Sequence, residues 1–164
     1  GKHAFLRDKG VQHPLDAQGD VFAQARAIVG DRGVDLILDA VGGRSLKQGY
    51  KLLGDCGRIV AFGASAMAEG GRRNIFRVLR ELLRTPLFNP ISLMNENKTV
   101  AGTNMGHLFD RLDLLRPQFE ALLRMYEAGE IRPQVDRTFR FDEAPEAHRH
   151  LQERRAKGKV LLVP

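Results

Sequence analysis

Two apolar runs constrain this 164-residue chain more than anything else in it. Val34–Ala40 and Ile59–Gly63 are nearly continuous rather than alternating. Runs of that kind mark strands buried on both faces, as in a parallel sheet covered by helices. The segment between them, RSLKQGYKLLGDC, reads as a helix, and each run closes in a turn of small residues. In such sheets ligands lie in the crevice outside the carboxyl ends of the strands. Ala40, Gly42, Gly43, Gly63, Ala64 and Ser65 therefore fall where a ligand would sit.

The chain is long enough to bury a core as one domain. One cysteine, Cys56, excludes a disulfide framework and a cysteine-based zinc cluster, and suits a reducing, cytoplasmic setting. No apolar run approaches the ~18 residues of a spanning helix. The formal charge of +6 makes anionic partners plausible, beside the plainer reading of a basic enzyme surface. With two tyrosines, no tryptophan and no finger-like Cys/His pattern, nucleic acid is not an expected partner. The five histidines suggest no metal site: His148 and His150 are two apart on an expected helix and do not share a face. Asp39, ending an apolar run, reads as a turn-bonding group rather than an acid or base. The chain opens Gly-Lys-His, so a fragment boundary is expected at its start.

Along the chain, His3–Lys9 reads as a short helix stopped by Gly10. Val11–Asp16 reads as a strand with Pro14 at an edge position. Asp20 is placed to cap a helix running to Gly30, and Ser45 to open the next one. Gly57 leads into a strand over Arg58–Gly63, which completes a βαβαβ succession from Val11. Arg72–Arg84 reads as a basic amphipathic helix ended by Pro86, with Pro90 breaking the segment after it. Lys98–Gly102 is an expected strand. Asp110–Ala128 is an expected helix with Pro117 in its first turn, and Leu114, Leu115, Leu122, Leu123 and Tyr126 as buried positions. Residues 131–141 alternate as a half-exposed strand, Asp142 caps a helix over Glu143–Arg154, and GKVLLVP closes the chain as a short buried strand.

The ordered phrases GKHAFLRDKGVQHPLD, GVDLILDAVGG, LLGDCGRIVAFGAS, KTVAGTNMGHL and FDEAPEAHRHLQERRAKGKVLLVP resemble the medium-chain dehydrogenase/reductase superfamily. Within it the chain is similar to the zinc-independent quinone oxidoreductases, near the synaptic vesicle amine transport protein homologues. The resemblance implies an α/β fold: a partial doubly wound, Rossmann-like parallel sheet without its first strand, turn and helix, then a return strand-helix-strand. No GxGxxG occurs in the chain. On this reading residues 1–130 are a truncated dinucleotide-binding domain, and 131–164 return to pack on a catalytic domain.

The resemblance also implies a cofactor, NADPH with NADH as the alternative, a small quinone or carbonyl substrate, and a homodimer. Lys2 corresponds to a lysine that pairs with the adenosine 2′-phosphate, or is a solvated surface lysine. Ala17 stands where relatives often carry a tyrosine near that phosphate. Ala40, Val41 and Gly42, then Phe62, Gly63, Ala64 and Ser65, match turns lining the nicotinamide-ribose half, or simply close tight turns. Asn104 and Met105 match the carboxamide neighbourhood and the dimer edge. Lys159 approaches the cofactor from the return segment, or is a structural lysine. No catalytic residue is assigned. The expected function is the NAD(P)H-binding portion of an oxidoreductase that transfers hydride to quinones or enones, inactive as an isolated chain. The alternative is a non-enzymatic module that dimerises by its sheet edge or docks on anionic membrane through the helix at 72–84.

Overall fold

A computed structural model describes residues 2–65, 79, 83–153 and 155–164. They fall into two compact units, Leu15–Asp110 and Gly1–Pro14 with Arg111–Pro164. The compact units thus divide at Leu15 and Arg111, whereas the sequence reading placed its functional division near residue 131.

In the first unit Asp20 caps α2 (Val21–Val29), its carboxylate accepting from the amides of Phe22 and Ala23 at 3.0 Å each. Then come β1 (Val34–Asp39), α3 (Arg44–Leu52), β2 (Leu53–Ala61), α4 (Pro90–Glu96) and β3 (Thr99–Gly102). The strands form one parallel sheet in the order β1-β2-β3. Ile59 is wholly buried and forms the core with Leu46 and Leu53; Ile37, Tyr50, Ala61, Phe88 and Val100 pack around it. Helix α3 sits close to the sheet because Gly49 has no side chain: a Cβ there would lie 2.9 Å from the Ile59 side chain.

β1 is not buried on both faces. Ile37 and Asp39 point to the covered side, whereas Leu36 and Leu38 are 55% and 65% exposed on the other. The expected strand at Val11–Asp16 does not form: no strand among the described residues pairs with it, and Pro14 has no amide to donate. β2 begins earlier than expected. Leu53 pairs with Val34, Gly54–Gly57 bulge out, and pairing resumes at Arg58 opposite Leu36. Cys56 lies in this bulge with φ +58°, a left-handed conformation unfavourable to a side chain. Pro90 starts α4 rather than breaking the segment, with the Asn89 side chain capping the Ile91 amide at 2.9 Å. At the amino end of β3, Lys98 bonds Glu96 at 3.0 Å and lies 5.0 Å from the centre of the Tyr50 ring. Burial, then the Glu96 carboxylate, holds the Tyr50 hydroxyl above its usual range.

The second unit contains α1 (His3–Asp8), α5 (Leu112–Glu127), β4 (Val135–Arg140), α6 (Ala144–Gln152) and β5 (Lys159–Val163). β4 and β5 pair in parallel and α6 connects them, which buries Phe139 and Ala147. Pro117 lies inside α5, beyond its first turn. The positions expected to be buried there are not: Leu114, Leu122, Leu123 and Tyr126 are exposed and Leu115 half-buried. β5 is also largely exposed, at Leu161, Leu162 and Val163. Asp142 lies in a 3-10 turn (Phe141–Glu143) ahead of α6, and Glu143 reaches back to the Arg140 amide at 2.8 Å. Apolar pattern marks a face as coverable, and solvent exposure then depends on what packs there.

The pairing of β4 slips between Val135 and Arg137, leaving Asp136 as the extra residue. Its carboxylate meets His150 Nε2 on α6 at 2.6 Å. The two side chains are only 18% and 15% exposed. The bond from His150, then the Lys157 amide, holds the Asp136 carboxyl below its usual range against the opposing effect of burial.

Ile59→Ala should destabilise the first unit by about 3 kcal/mol in urea denaturation, through lost burial and a cavity. Cys56→Gly should stabilise it by about 1 kcal/mol by removing the left-handed strain. A depressed folded-state pKa contributes stability above the unfolded value that is lost as pH falls through the folded value. The melting temperature of the second unit should therefore fall as pH drops below about 4. Asp136→Asn should flatten that acid limb, as followed by circular dichroism.

Candidate functional site

The carboxyl end of the sheet is assembled by backbone bonds between successive strand-end turns. At the end of β1 the buried Asp39 carboxylate accepts from the amides of Val41 and Gly42, both at 2.7 Å. This is the turn-bonding role its position suggests. The turn can then bend sharply, with Gly42 at φ +77°. The turn after β2 is tied to it: Phe62 donates to the Asp39 carbonyl at 2.9 Å, and Ser65 to the Ala40 carbonyl at 3.1 Å. A Cβ on Gly63 would lie 2.8 Å from the Ala40 carbonyl oxygen, so only glycine lets the turns approach this closely. The turn after β3 joins the same end, because Thr103 donates to the Ala61 carbonyl at 2.9 Å. Next to it, the Asn104 side chain accepts the Gly106 amide at 3.0 Å and is thereby held in a turn.

The structure thus brings Ala40, Val41 and Gly42 together with Phe62, Gly63, Ala64 and Ser65, and sets Asn104 and Met105 at the same sheet end. Val41, Phe62 and Met105 are 44%, 51% and 64% exposed, which offers an apolar rim to a flat ligand. The Gly63, Ala64 and Ser65 backbones are exposed beside them.

Lys2 and Lys159 lie in the other unit and meet in a groove of about 530 Å³. Phe5 and Leu6 of α1 give this groove an apolar wall, and Lys2, Lys9, Arg132, Lys157 and Lys159 give it five cations. Every charged residue lining it, among those described, is positive. The Lys2 ammonium donates to the Ala156 carbonyl, and the amide of Lys159 to the Gln134 carbonyl at 2.7 Å. Such a groove attracts an anion that carries an apolar body.

Sequence reasoning missed Lys9, Arg132 and Lys157 because they are scattered through the chain and only folding gathers them. It also missed the Asp136–His150 pair, since a strand bulge rather than any spacing aims Asp136 at the helix. The basic helix expected over Arg72–Arg84 lies almost wholly outside the described residues. Among the described residues no three His, Cys, Asp or Glu side chains gather to hold a metal ion. No helix among them is long and apolar enough to cross a membrane.

A family model described as zinc-binding dehydrogenase matches residues 9–162. The chain is 31% identical over 163 residues to the synaptic vesicle membrane protein VAT-1 homolog of Rattus norvegicus, covering 99% of this chain and 40% of that protein. It is 26% identical to a 2-haloacrylate reductase of a Burkholderia species, over 99% of this chain and 45% of that one. Among solved structures, human synaptic vesicle membrane protein VAT-1 homolog-like protein superposes with a TM-score of 0.68 at 28% identity, covering 99% of this chain and 42% of that one. The chain therefore spans about two-fifths of the length of the relatives it matches.

Proposed function

The chain belongs to the zinc-binding dehydrogenase family, within the medium-chain dehydrogenase/reductases, and from that premise we propose that it is the nicotinamide-cofactor-binding part of an oxidoreductase. Its fold is a partial Rossmann-like α/β domain. The observation that carries the proposal is the convergence of three strand-end turns at one edge of a parallel sheet, where ligands of such sheets bind. The reaction we propose is hydride transfer to an electron-poor acceptor, a quinone or enone. A relative named as a reductase of a haloacrylate, itself an activated alkene, supports that acceptor class.

When bound, the nicotinamide supplies the hydride chemistry, and the protein supplies orientation and electrostatics. In our reading the backbone of Ala40–Gly42 and Gly63–Ala64 admits the flat ring and ribose, while Val41 and Phe62 flank them. Ser65 offers a hydroxyl that can donate or accept. Asn104 and Met105 stand at the carboxamide end. Asp39 acts indirectly, as a positioning residue that shapes the first turn. NADPH is favoured on Lys2, which the family resemblance assigns to a 2′-phosphate that NADH does not carry.

A second reading keeps the chain as an interaction module that pairs through β3. Thr103 turns its amide toward β2, and alternation along the strand directs the Val100 amide the other way, to the open edge among the described residues. Both readings accommodate a homodimer.

Calorimetry of this chain should show NADPH binding weaker than micromolar, because no glycine-rich phosphate turn is present in it. NADPH should still bind about tenfold more tightly than NADH, and Lys2→Glu should abolish the difference. Gly63→Val should weaken both cofactors alike. Equal affinity for NADPH and NADH would remove the role given to Lys2. For the second reading, sedimentation should show a dimer that Val100→Pro dissociates, and a wild-type monomer would count against it.

A further inference from the structure

The groove of the second unit is walled by α1, by residues 132–134 and by residues 156–159. Hydrogen bonds hold these walls together. The amide of Lys159 donates to the Gln134 carbonyl at 2.7 Å, and the Lys2 ammonium donates to the Ala156 carbonyl. The approach at Gly158 is closer still: a Cβ there would lie 2.3 Å from the Gln134 carbonyl oxygen. The cavity of about 530 Å³ is thus shaped by the unit itself, and its volume suits a small organic molecule.

Its charge is unbalanced. Among the described residues none of its five cations makes an ion pair, whereas Arg32, Lys98, Arg111, Arg140, Arg149 and Arg155 elsewhere each have one. Lys157 acts on the Asp136 carboxylate only at longer range, and His150 already holds that group. Arg132 donates its Nε to the Gly129 carbonyl at 3.3 Å, and its terminal nitrogens bond no group among the described residues. A guanidinium with those nitrogens unused can offer a planar fork to a phosphate. Five like charges around one cavity repel, which favours a ligand with more than one negative charge. A bare counterion would leave the apolar wall unused. Phe5 and Leu6 there are half-buried, and the Lys9 ammonium lies 5.8 Å from the centre of the Phe5 ring. An aromatic body can pack against that ring.

We propose that the groove is a second binding site, for a soluble aromatic phosphate monoester. Arg132, Lys157 and Lys159 hold the phosphate, and Phe5 and Leu6 receive the ring. A monoester brings nearly two negative charges at neutral pH and three acceptor oxygens, more than a carboxylate or a phosphodiester offers. The site shares no residue with the strand-end turns and does not rest on their reading as a cofactor site.

Calorimetry of this chain with naphthyl phosphate tests the proposal, with naphthol and inorganic phosphate as the two halves of the probe. The ester should bind about tenfold more tightly than either half, and shift the amides of Phe5, Leu6 and Gly158. Arg132→Glu should weaken the ester about tenfold, Arg132→Lys less, and neither should change the affinity for naphthol. Equal affinity for the ester and inorganic phosphate reduces the groove to a counterion site and overturns the proposal. So does an Arg132→Glu variant that binds the ester unchanged. If that variant fails to fold by circular dichroism, the wild-type comparison and shift map decide, and shifts that avoid the groove overturn the site. NADH has no 2′-phosphate to reach Lys2, so it should not displace the ester; displacement would merge the groove with the cofactor site and end the case for a second one. Phosphatidylcholine vesicles containing phosphatidic acid carry the same monoester on a bilayer. Binding of these vesicles without binding of the soluble ester would assign the phosphate to a lipid headgroup and overturn the soluble ligand.

Discussion

The registered parallel pairing of three strands around a wholly buried Ile59 is the constraint on which the first unit depends. Leu38 stands opposite Val60, Val60 opposite Ala101, and Ala61 opposite Gly102, so the strands reach their carboxyl ends at nearly the same level. Only then can the Asp39 carbonyl receive the Phe62 amide and the Ala61 carbonyl receive that of Thr103. Packing of α3 through Gly49 fixes the covered face, and register carries that order to the turns without requiring any of the turn residues to be buried. A slip of one residue would invert the faces and separate the turns.

The second unit reaches its order by different physics. Among the described residues its buried apolar side chains are Phe139 and Ala147, and polar contacts carry more of the organisation. Asp136 links strand and helix through the His150 ring, while the Lys2 ammonium ties the start of the chain to Ala156. Cations placed this close together repel one another, so a groove with five of them is better filled by an anion than left to water alone.

Much of this was legible in the sequence. Continuous apolar runs located β1 and β2, Asp20 and Gly30 bounded α2, and small residues after each strand marked the turns that converge in space. Phrases in order pointed to the family, and the match over residues 9–162 agrees. The parts that could not be read share a cause: they depend on a partner far along the chain. Val11–Asp16 has strand character but no neighbouring strand among the described residues. Leu122 and Tyr126 have core character but stand exposed. The bulge at Gly54–Gly57 appears only when Leu53 pairs with Val34, and Asp136 becomes a junction only because its strand slips. Local pattern gives the character of a residue, and long-range pairing decides its environment.

The central claim is that the three strand-end turns receive the nicotinamide half of a cofactor. Amide chemical-shift mapping of the labelled chain during NADPH titration tests it most directly. The account predicts shifts concentrated at Ala40–Gly42, Phe62–Ser65 and Asn104, with no comparable change at the opposite end of the sheet near Tyr50, Glu96 and Lys98. Shifts that leave those turns untouched while NADPH binds elsewhere would contradict it.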